Sequence, residues 1–268
     1  MRGTDARHEA QVAFSNVRMS FGRREVFRSL SCGFPAGKLS VILGGSGSGK
    51  STMLRLMGGL VRPLEGTIRV ADTDVTKLSE SRLFEVRQKL GMMFQGGALL
   101  DSLTVFDNLA LPLRERAAIG EAEIADLVHA RLEAVGLSDV DDLLPGQLSG
   151  GMVKRVAVAR ATMMQPAILL CDEPFSGLDP ISAARIERLL LGINRDHGIT
   201  TILVSHSVAS TLRMADHVLI LLPDGPIEGS PTTLAKAADP RVQAFLGGAV
   251  DEALIGGGED PMQSGWLS

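Results

Sequence analysis

The chain has 268 residues, of which 45% are hydrophobic, so it can form one large or two small folded domains with a substantial core. Its 27 basic and 31 acidic residues give a formal net charge of −4, which argues against nucleic acid as a partner because nucleic-acid-binding proteins usually carry a basic excess. Of its two cysteines, Cys32 and Cys171, the second ends an apolar run, which predicts a buried free thiol and fits a reducing cytoplasm.

The apolar runs of the chain predict strands and not membrane spans. The runs at 167–171 and 218–222 are far shorter than the ~20 residues that cross a bilayer. Residues 1–11 are rich in charged and polar side chains and do not form the apolar core of a secretory signal. We therefore expect a protein that stays in the cytoplasm and takes part in membrane processes only through a partner.

The first predicted elements are a strand, a loop and a helix. Residues 39–43 form a short apolar run that leads into glycines, and residues 51–60 then show helical spacing. Two glycines and a proline end this helix, after which a strand is predicted at 66–70 and a turn at 71–74.

Later elements predict an α/β fold. Further strands are expected at 167–171, 200–205 and 218–222, and strands separated by helical segments favour a largely parallel sheet that binds ligands at its carboxyl edge. Between 95 and 165 the pattern is helical, which predicts a helical subdomain inserted into the α/β core. The segment 121–135 carries one apolar helix face. The residues of that face are Ile124, Leu127, Val128, Leu132 and Val135.

Residues 44–51, Gly-Gly-Ser-Gly-Ser-Gly-Lys-Ser, match the complete phosphate-loop pattern between a predicted strand and a predicted helix. In such a loop the glycine N–H groups surround phosphates, Lys50 neutralises the charge of the β- and γ-phosphates, and Ser51 is a candidate Mg2+ ligand. A flexible glycine turn is the alternative, and this context argues against it. The predicted nucleotide-binding residues here are Gly44, Gly45, Ser46, Gly47, Ser48, Gly49, Lys50, Ser51 and Thr52.

Asp172 and Glu173 follow a predicted strand and precede Pro174, which places both carboxylates at the sheet edge where phosphates would lie. Asp172 suits Mg2+, directly or through water, and Glu173 is the candidate general base that polarises the attacking water. Taken alone, Asp-Glu-Pro is more often a surface turn. Its position after a strand and behind a phosphate loop favours the catalytic interpretation.

Two further polar residues follow predicted strands. Gln95 comes after a plausible strand end, where its amide suits both Mg2+ and the attacking water, although a lone glutamine is usually a surface side chain. His206 follows the run 201–205, and a neutral imidazole there can hydrogen-bond the γ-phosphate or the attacking water. A purely structural histidine is the alternative.

The segment Leu148–Met152, Leu-Ser-Gly-Gly-Met, adds a second set of exposed backbone amides at the start of another predicted helix. We expect Ser149, Gly150 and Gly151 to make a second contact with an anion. Met152 would put an apolar side chain near that contact, or it packs within its own chain.

The order of these motifs over residues ~10–237 resembles that of ATP-binding-cassette (ABC) ATPase subunits. The resemblance implies an α/β nucleotide-binding domain, with a RecA-like phosphate-loop core, an N-terminal β subdomain and an inserted α-helical subdomain at about 96–165. Residues 238–268 would form a partly flexible C-terminal extension. Phe21 stands where this family usually places an aromatic ring against adenine, and a core phenylalanine is the alternative.

The resemblance also implies the chemistry. ATP and Mg2+ are the expected ligands, and two copies of the chain would bind head to tail, so that each ATP lies between the phosphate loop of one copy and the signature Leu148–Met152 of the other. The metal ligands implied are Ser51, Gln95 and Asp172. The catalytic residues implied are Glu173, His206, Gln95 and Lys50.

Finer details resemble one branch of the family, the ATPases of the Mla system, which move phospholipid together with MCE proteins to maintain outer-membrane lipid asymmetry. The segments that carry this similarity are Arg55–Gly59, Phe94–Leu99, Val105–Glu115, Asp172–Pro180 and Asp239–Leu246. The implied partners are an integral membrane permease of the MlaE type, an MCE-domain protein of the MlaD type and a STAS-domain protein of the MlaB type. The implied location is the cytoplasmic face of the bacterial inner membrane, reached through the permease.

Other classes of phosphate-loop protein fit less well. Chromosome-associated ABC ATPases insert a long coiled coil between phosphate loop and signature, and no sustained heptads occur here. Ribosome-associated types carry two cassettes in one chain, and a small-molecule kinase would leave the signature without a role. An ATPase of another importer, for amino acids or other small solutes, remains open.

Overall fold

The structure, a computed structural model, describes residues 10–116 and 118–246 and contains two β-sheets with helices packed against them. The strands are β1 (Ala10–Phe21), β2 (Arg24–Pro35), β3 (Leu39–Gly44), β4 (Glu65–Val70), β5 (Thr73–Asp74), β6 (Leu90–Met93), β7 (Ile168–Asp172), β8 (Thr200–Val204), β9 (His217–Leu222) and β10 (Gly225–Gly229). The helices are α1 (Lys50–Met57), α2 (Glu80–Arg87), α3 (Val105–Arg116), α4 (Glu121–Ala134), α5 (Gly150–Thr162), α6 (Pro180–His197), α7 (Val208–Met214) and α8 (Pro231–Ala235).

The larger sheet has the strand order β10-β9-β3-β8-β7-β6 and is parallel except for β10, which pairs antiparallel with β9. Strands β3, β7 and β8 are buried along their whole length, as expected for a sheet covered on both faces. Their carboxyl ends lie at one edge, with Asp172 opposite Val204 in the register. The predicted α/β fold with a largely parallel sheet is therefore confirmed.

The smaller sheet is antiparallel, with the order β2-β1-β4-β5. Its buried side chains, including Phe14 and Phe34, join one hydrophobic cluster with Met53 and Leu54 of α1 and with Ile42 of β3. This cluster holds α1 between the two sheets, and α1 is the helix that begins at the phosphate loop.

Helices α3, α4 and α5 are inserted between β6 and β7 and share a hydrophobic cluster that includes Leu109, Val128 and Val156. Four residues of the predicted apolar face of the 121–135 segment are buried here, but Leu127 is 41% exposed. Leu127 lies about 100° around the helix from Val128, beyond the side that packs against α3 and α5. Leu127 belongs to the apolar face but is partly exposed, because the buried face is narrower than the apolar one.

The predicted elements lie within a few residues of the observed ones. The helix expected at 51–60 ends earlier, where the N–H of Gly58 caps α1 by donating to the Leu54 carbonyl. Residues 240–246 are helical, and Val242 is buried against the large sheet's core. Cys32 and Cys171 are both free and buried. The predicted flexible end and most of the segment 1–11 lie outside the described residues.

Among the residues that the structure describes, no helix combines the length and apolar character of a membrane span.

Candidate nucleotide-binding and catalytic site

The phosphate loop connects β3 to α1, and its shape depends on glycine. Gly44 has φ 153°, and a Cβ there would lie 2.9 Å from the Leu221 carbonyl oxygen. Gly49 is the N-cap of α1 with φ 101°, and a Cβ there would lie 2.6 Å from Phe27 and Val26 side-chain carbons. Neither position accepts a larger residue, so the loop stays close to the small sheet and opens at the N-terminus of α1.

Lys50 is the first residue of α1 and is buried. Its Nζ donates to the carbonyls of Gly44 and Gly45 at 2.8 and 3.0 Å. Burial lowers the pKa of the lysine, and the nearby carboxylates of Glu173 and Asp172 oppose that shift. The ammonium group is therefore held on the loop between the backbone and two carboxylates.

Ser51 and Asp172 meet at the carboxyl edge of the large sheet. The Ser51 hydroxyl donates to Asp172 Oδ1 at 3.0 Å, and Asp172 is 8% exposed at the end of β7. A hydroxyl and a carboxylate are hard oxygen donors of the kind that Mg2+ prefers. The two residues thus form a fitting pair of candidate ligands.

Glu173 has a backbone and a side chain that are both fixed. Its φ is 49°, in the left-handed region that side-chain-bearing residues rarely adopt, and its N–H donates to the Val204 carbonyl at 3.2 Å. Its Oε1 lies 2.9 Å from His206 Nε2. Burial raises the pKa of Glu173 to about 7, an effect that Lys50 opposes. A carboxyl group that titrates near neutral pH suits a general base.

Gln95 lies two residues beyond β6 and is exposed, while its backbone carbonyl is bound by the ammonium of Lys154. The same ammonium donates to the carbonyl of Glu173 at 3.1 Å. Gln95 is thus tied to the catalytic edge through its backbone.

The signature begins α5, as predicted. Ser149 is the N-cap and its Oγ accepts from the Met152 N–H at 3.3 Å. Ser149 and Gly150 are exposed, and Met152 packs partly buried against the helical cluster. Within the described part of the chain, no hydrogen bond or ion pair joins Ser149, Gly150 or Gly151 to the phosphate loop. The signature is therefore a separate, outward-facing helix end.

Comparison with known proteins gives the family. The family model for ABC transporters matches residues 27–176, more than half of the chain. The chain belongs to the ABC transporter family. It is an ATP-binding subunit that hydrolyses ATP.

Two curated relatives of this ABC ATPase are similar over most of its length. The intermembrane phospholipid transport system ATP-binding protein MlaF of Escherichia coli is 41% identical over 241 residues, 90% of each chain. The probable ribonucleotide transport ATP-binding protein mkl of Mycobacterium leprae is 39% identical over 249 residues, 92% of this chain and 72% of that protein. A solved ATP-binding cassette, dimeric in a post-hydrolysis state with ADP and Pi bound, matches with a TM-score of 0.76 at 30% identity, covering 82% of this chain and 98% of that one.

Phe21 of the ABC ATPase lies at the end of β1 with 46% of its surface exposed. It pairs with Arg24 across the β1–β2 hairpin, and the Arg24 guanidinium donates to the Gly47 carbonyl at 3.0 Å. The aromatic ring is therefore carried by a hairpin that is bonded directly to the phosphate loop.

Sequence reasoning missed Arg24 and Lys154 as parts of this site. A charged residue in a hairpin or in a helix is usually on the surface, and nothing in their spacing marked them.

Proposed function

We propose that this ABC ATPase drives phospholipid trafficking between the inner and outer bacterial membranes and is bound, through a permease, to the cytoplasmic face of the inner membrane. The observation that carries the proposal is the 41% identity to an intermembrane phospholipid transport ATP-binding protein over 90% of both chains. The segments Val105–Glu115 and Asp239–Leu246 support the same branch, since they lie outside the motifs that all ABC ATPases need.

A second candidate is the transport of another solute. The relative whose name states ribonucleotide transport is 39% identical, nearly as similar, although this chain spans 72% of its length. The slightly higher identity to the phospholipid-transport relative, together with the branch segments named above, favours the phospholipid function.

We propose a head-to-tail dimer with two composite sites. Each phosphate loop would hold one ATP, and the exposed N-terminus of α5 in the other copy would cover it with the hydroxyl of Ser149 and the N–H groups of Gly150 and Gly151. The similar cassette with ADP and Pi is dimeric, which supports this arrangement.

The chemistry proposed for each composite site follows from the geometry. Ser51, Asp172 and the Gln95 amide would hold Mg2+, which when bound neutralises charge on the transferred phosphate. Lys50 would release the carbonyls of its own loop and bind the β- and γ-phosphates. Glu173 would take a proton from the attacking water, and His206, 2.9 Å from its carboxylate, would orient the same water and the γ-phosphate.

The segment 96–115 is proposed to dock the cytoplasmic coupling helices of the permease. Buried Asn108 donates to the carbonyls of Leu100, Leu103 and Thr104 and accepts from the N–H of Leu100, so the segment has a fixed shape. Leu100 itself is 44% exposed. A cleft of about 240 Å³ lies beside α3, between Met92, Pro112 and Arg116 among others, and its lining combines apolar and charged side chains.

We also propose domain boundaries and further partners for this ABC ATPase. Residues 10–237 would form the nucleotide-binding domain, with its helical subdomain at about 96–165, and 238–268 the extension. An MCE-domain protein and a STAS-domain protein would complete the complex, and the segment Asp239–Leu246 would contact the second ATPase or the STAS protein. Val242 is buried in its own chain, so such a contact would use the exposed residues Arg241 and Gln243.

The experiment that tests the function is purification of the tagged chain with its membrane partners. We expect a permease, an MCE-domain protein and a STAS-domain protein to copurify, and phospholipid to be found with the complex. Copurification of a periplasmic solute-binding protein in place of the MCE protein would contradict the proposal.

A further inference from the structure

Lys154 is a buried lysine near the catalytic edge, 6% exposed in the second turn of α5. Its ammonium donates to oxygens of three separate segments of the chain: the carbonyl of Gln95, the carbonyl of Glu173 at 3.1 Å and the hydroxyl of Ser176 at 3.4 Å. An ammonium has three donors, so every proton of this one has a partner. Lysine is almost never fully buried without such partners.

The ammonium of Lys154 contacts the backbone of Glu173, a side-chain-bearing residue in the left-handed region with φ 49°. A glutamate keeps such a conformation when its surroundings fix it. Here the N–H donates to Val204, and the carbonyl accepts from both Lys154 and the Ser176 hydroxyl, the latter at 3.1 Å. The peptide groups on both sides of Glu173 are therefore fixed, and with them the position from which its side chain starts.

Lys154 also belongs to the helix that carries the signature. Five residues separate it from the N-cap Ser149, a rise of about 7.5 Å along α5. The same helix contacts the loop after Glu173, since Lys154 Nζ donates to the Ser176 hydroxyl at 3.4 Å. Any shift of α5 would therefore move the ammonium of Lys154, which is bound to the carbonyl of Glu173.

We propose that Lys154 is a positioning residue for ATP hydrolysis. It fixes the positions of the Gln95 and Glu173 backbones relative to the signature helix α5. The general base Glu173 is therefore correctly placed when α5 has its proper position. The inference rests on the proposed function of Glu173 and of the signature, and goes beyond it in assigning the link between them within one chain.

The alternative is that Lys154 has a purely structural role, in which it fills a buried space and donates hydrogen bonds to the buried oxygens around it. In that case its removal lowers the stability of the fold but leaves the folded protein with normal turnover. A positioning role moves kcat with little change in the KM for ATP, because Lys154 donates to Gln95, Glu173 and Ser176 and not to Lys50 or the phosphate loop.

The test compares Lys154→Met, Lys154→Gln and Lys154→Arg in the assembled transporter, with Thr162→Val as the matched control. Thr162 is a buried polar residue of the same helix whose hydroxyl donates to the carbonyls of Val158 and Ala159, away from the site. For Lys154→Met we expect kcat to fall about 10- to 100-fold, the loss typical of a misplaced catalytic group, while ATP binding stays within about threefold.

Lys154→Arg should keep part of the activity, because a guanidinium can donate to several of the same oxygens. If Lys154→Met does not fold, Lys154→Gln, which keeps two donors, carries the same measurements. A folded Lys154→Met or Lys154→Gln protein with kcat within twofold of wild type would overturn the inference. Wild-type turnover by Glu173→Gln would instead overturn the role of Glu173 itself, so the two failures are distinguishable.

Discussion

The carboxyl edge of the large sheet and the N-terminus of α5 differ in whether their functional groups already have partners within one chain. At the sheet edge, buried Lys50, Asp172 and Glu173 already have partners at hydrogen-bonding distance. At the start of α5, Ser149 and Gly150 are exposed and present backbone amides to the outside. In the proposed dimer, the first region binds and activates the phosphate, and the second completes the site of the other copy.

This difference explains why burial and charge are concentrated in one of the two regions. Burial raises the pKa of Glu173 to about 7. In the proposed dimer, the signature contacts the nucleotide held by the other copy through neutral groups. Variants at the sheet edge should therefore change ATP hydrolysis in the site of their own copy. Variants at the signature should change the site that this copy shares with the other.

The largest effect is expected for Glu173→Gln. The amide keeps the shape of the side chain but cannot accept the proton of the attacking water, so turnover should fall by about 10²- to 10⁴-fold while ATP still binds. Steady-state ATP hydrolysis and nucleotide binding measure the two effects separately, and closed dimers should accumulate. Exposed Glu133→Gln is the matched control. Near-normal turnover of Glu173→Gln would remove this residue as the general base.

A smaller loss is expected for Asp172→Asn. Replacing the carboxylate beside Ser51 weakens the candidate Mg2+ site, so the Mg2+ concentration that gives half-maximal ATPase activity should rise by roughly 10- to 100-fold. The variant Asp139→Asn changes an exposed aspartate in a loop and should leave the Mg2+ requirement as it is. An unchanged requirement in Asp172→Asn would show that the metal is held elsewhere.

The pH dependence tests the electrostatics of the sheet edge. Glu173 must be ionised to act as a base, and burial raises its pKa from 4.5 to about 7. The kcat/KM for ATP should therefore be constant above pH 7 and fall by about tenfold per unit below it. A profile that stays flat down to pH 5 would mean that Glu173 is already ionised there and is not shifted.

The smallest effect is expected at Phe21. If the exposed ring beside the phosphate loop stacks on adenine, Phe21→Ala should weaken ATP binding by roughly fivefold or more, and Phe21→Tyr should bind as the wild type does. A fluorescent ATP analogue measures the affinity. If Phe21→Ala binds ATP with wild-type affinity, Phe21 is an ordinary surface residue that does not stack on adenine.

Local patterns predicted the sheet edge well. The glycines and Lys50 of the phosphate loop, and Asp172 after a buried apolar run, each lie where the pattern of strand and helix put them. These features depend on neighbours in sequence: a glycine is needed where φ is positive, and a short apolar run predicts a buried strand.

Features that depend on distant neighbours were not predictable in this way. Lys154 binds Gln95 and Glu173, which are 59 and 19 residues away, and a lone lysine in a helix gives no sign of such contacts. Leu127 fits the apolar period of α4 but faces away from α3 and α5. The strands β1 and β2 were anticipated through family resemblance alone, as an N-terminal β subdomain.

The central claim is that each active site is shared by two copies of the chain, and a mixed dimer tests it most directly. Lys50→Ala disables the phosphate loop and Ser149→Arg blocks the signature, so each homodimer should be inactive. Coexpressed with two different tags and isolated by successive affinity steps, the mixed dimer carries one intact site of two and should recover up to about half of the wild-type ATPase rate. Wild-type turnover by the Ser149→Arg homodimer would contradict the shared site.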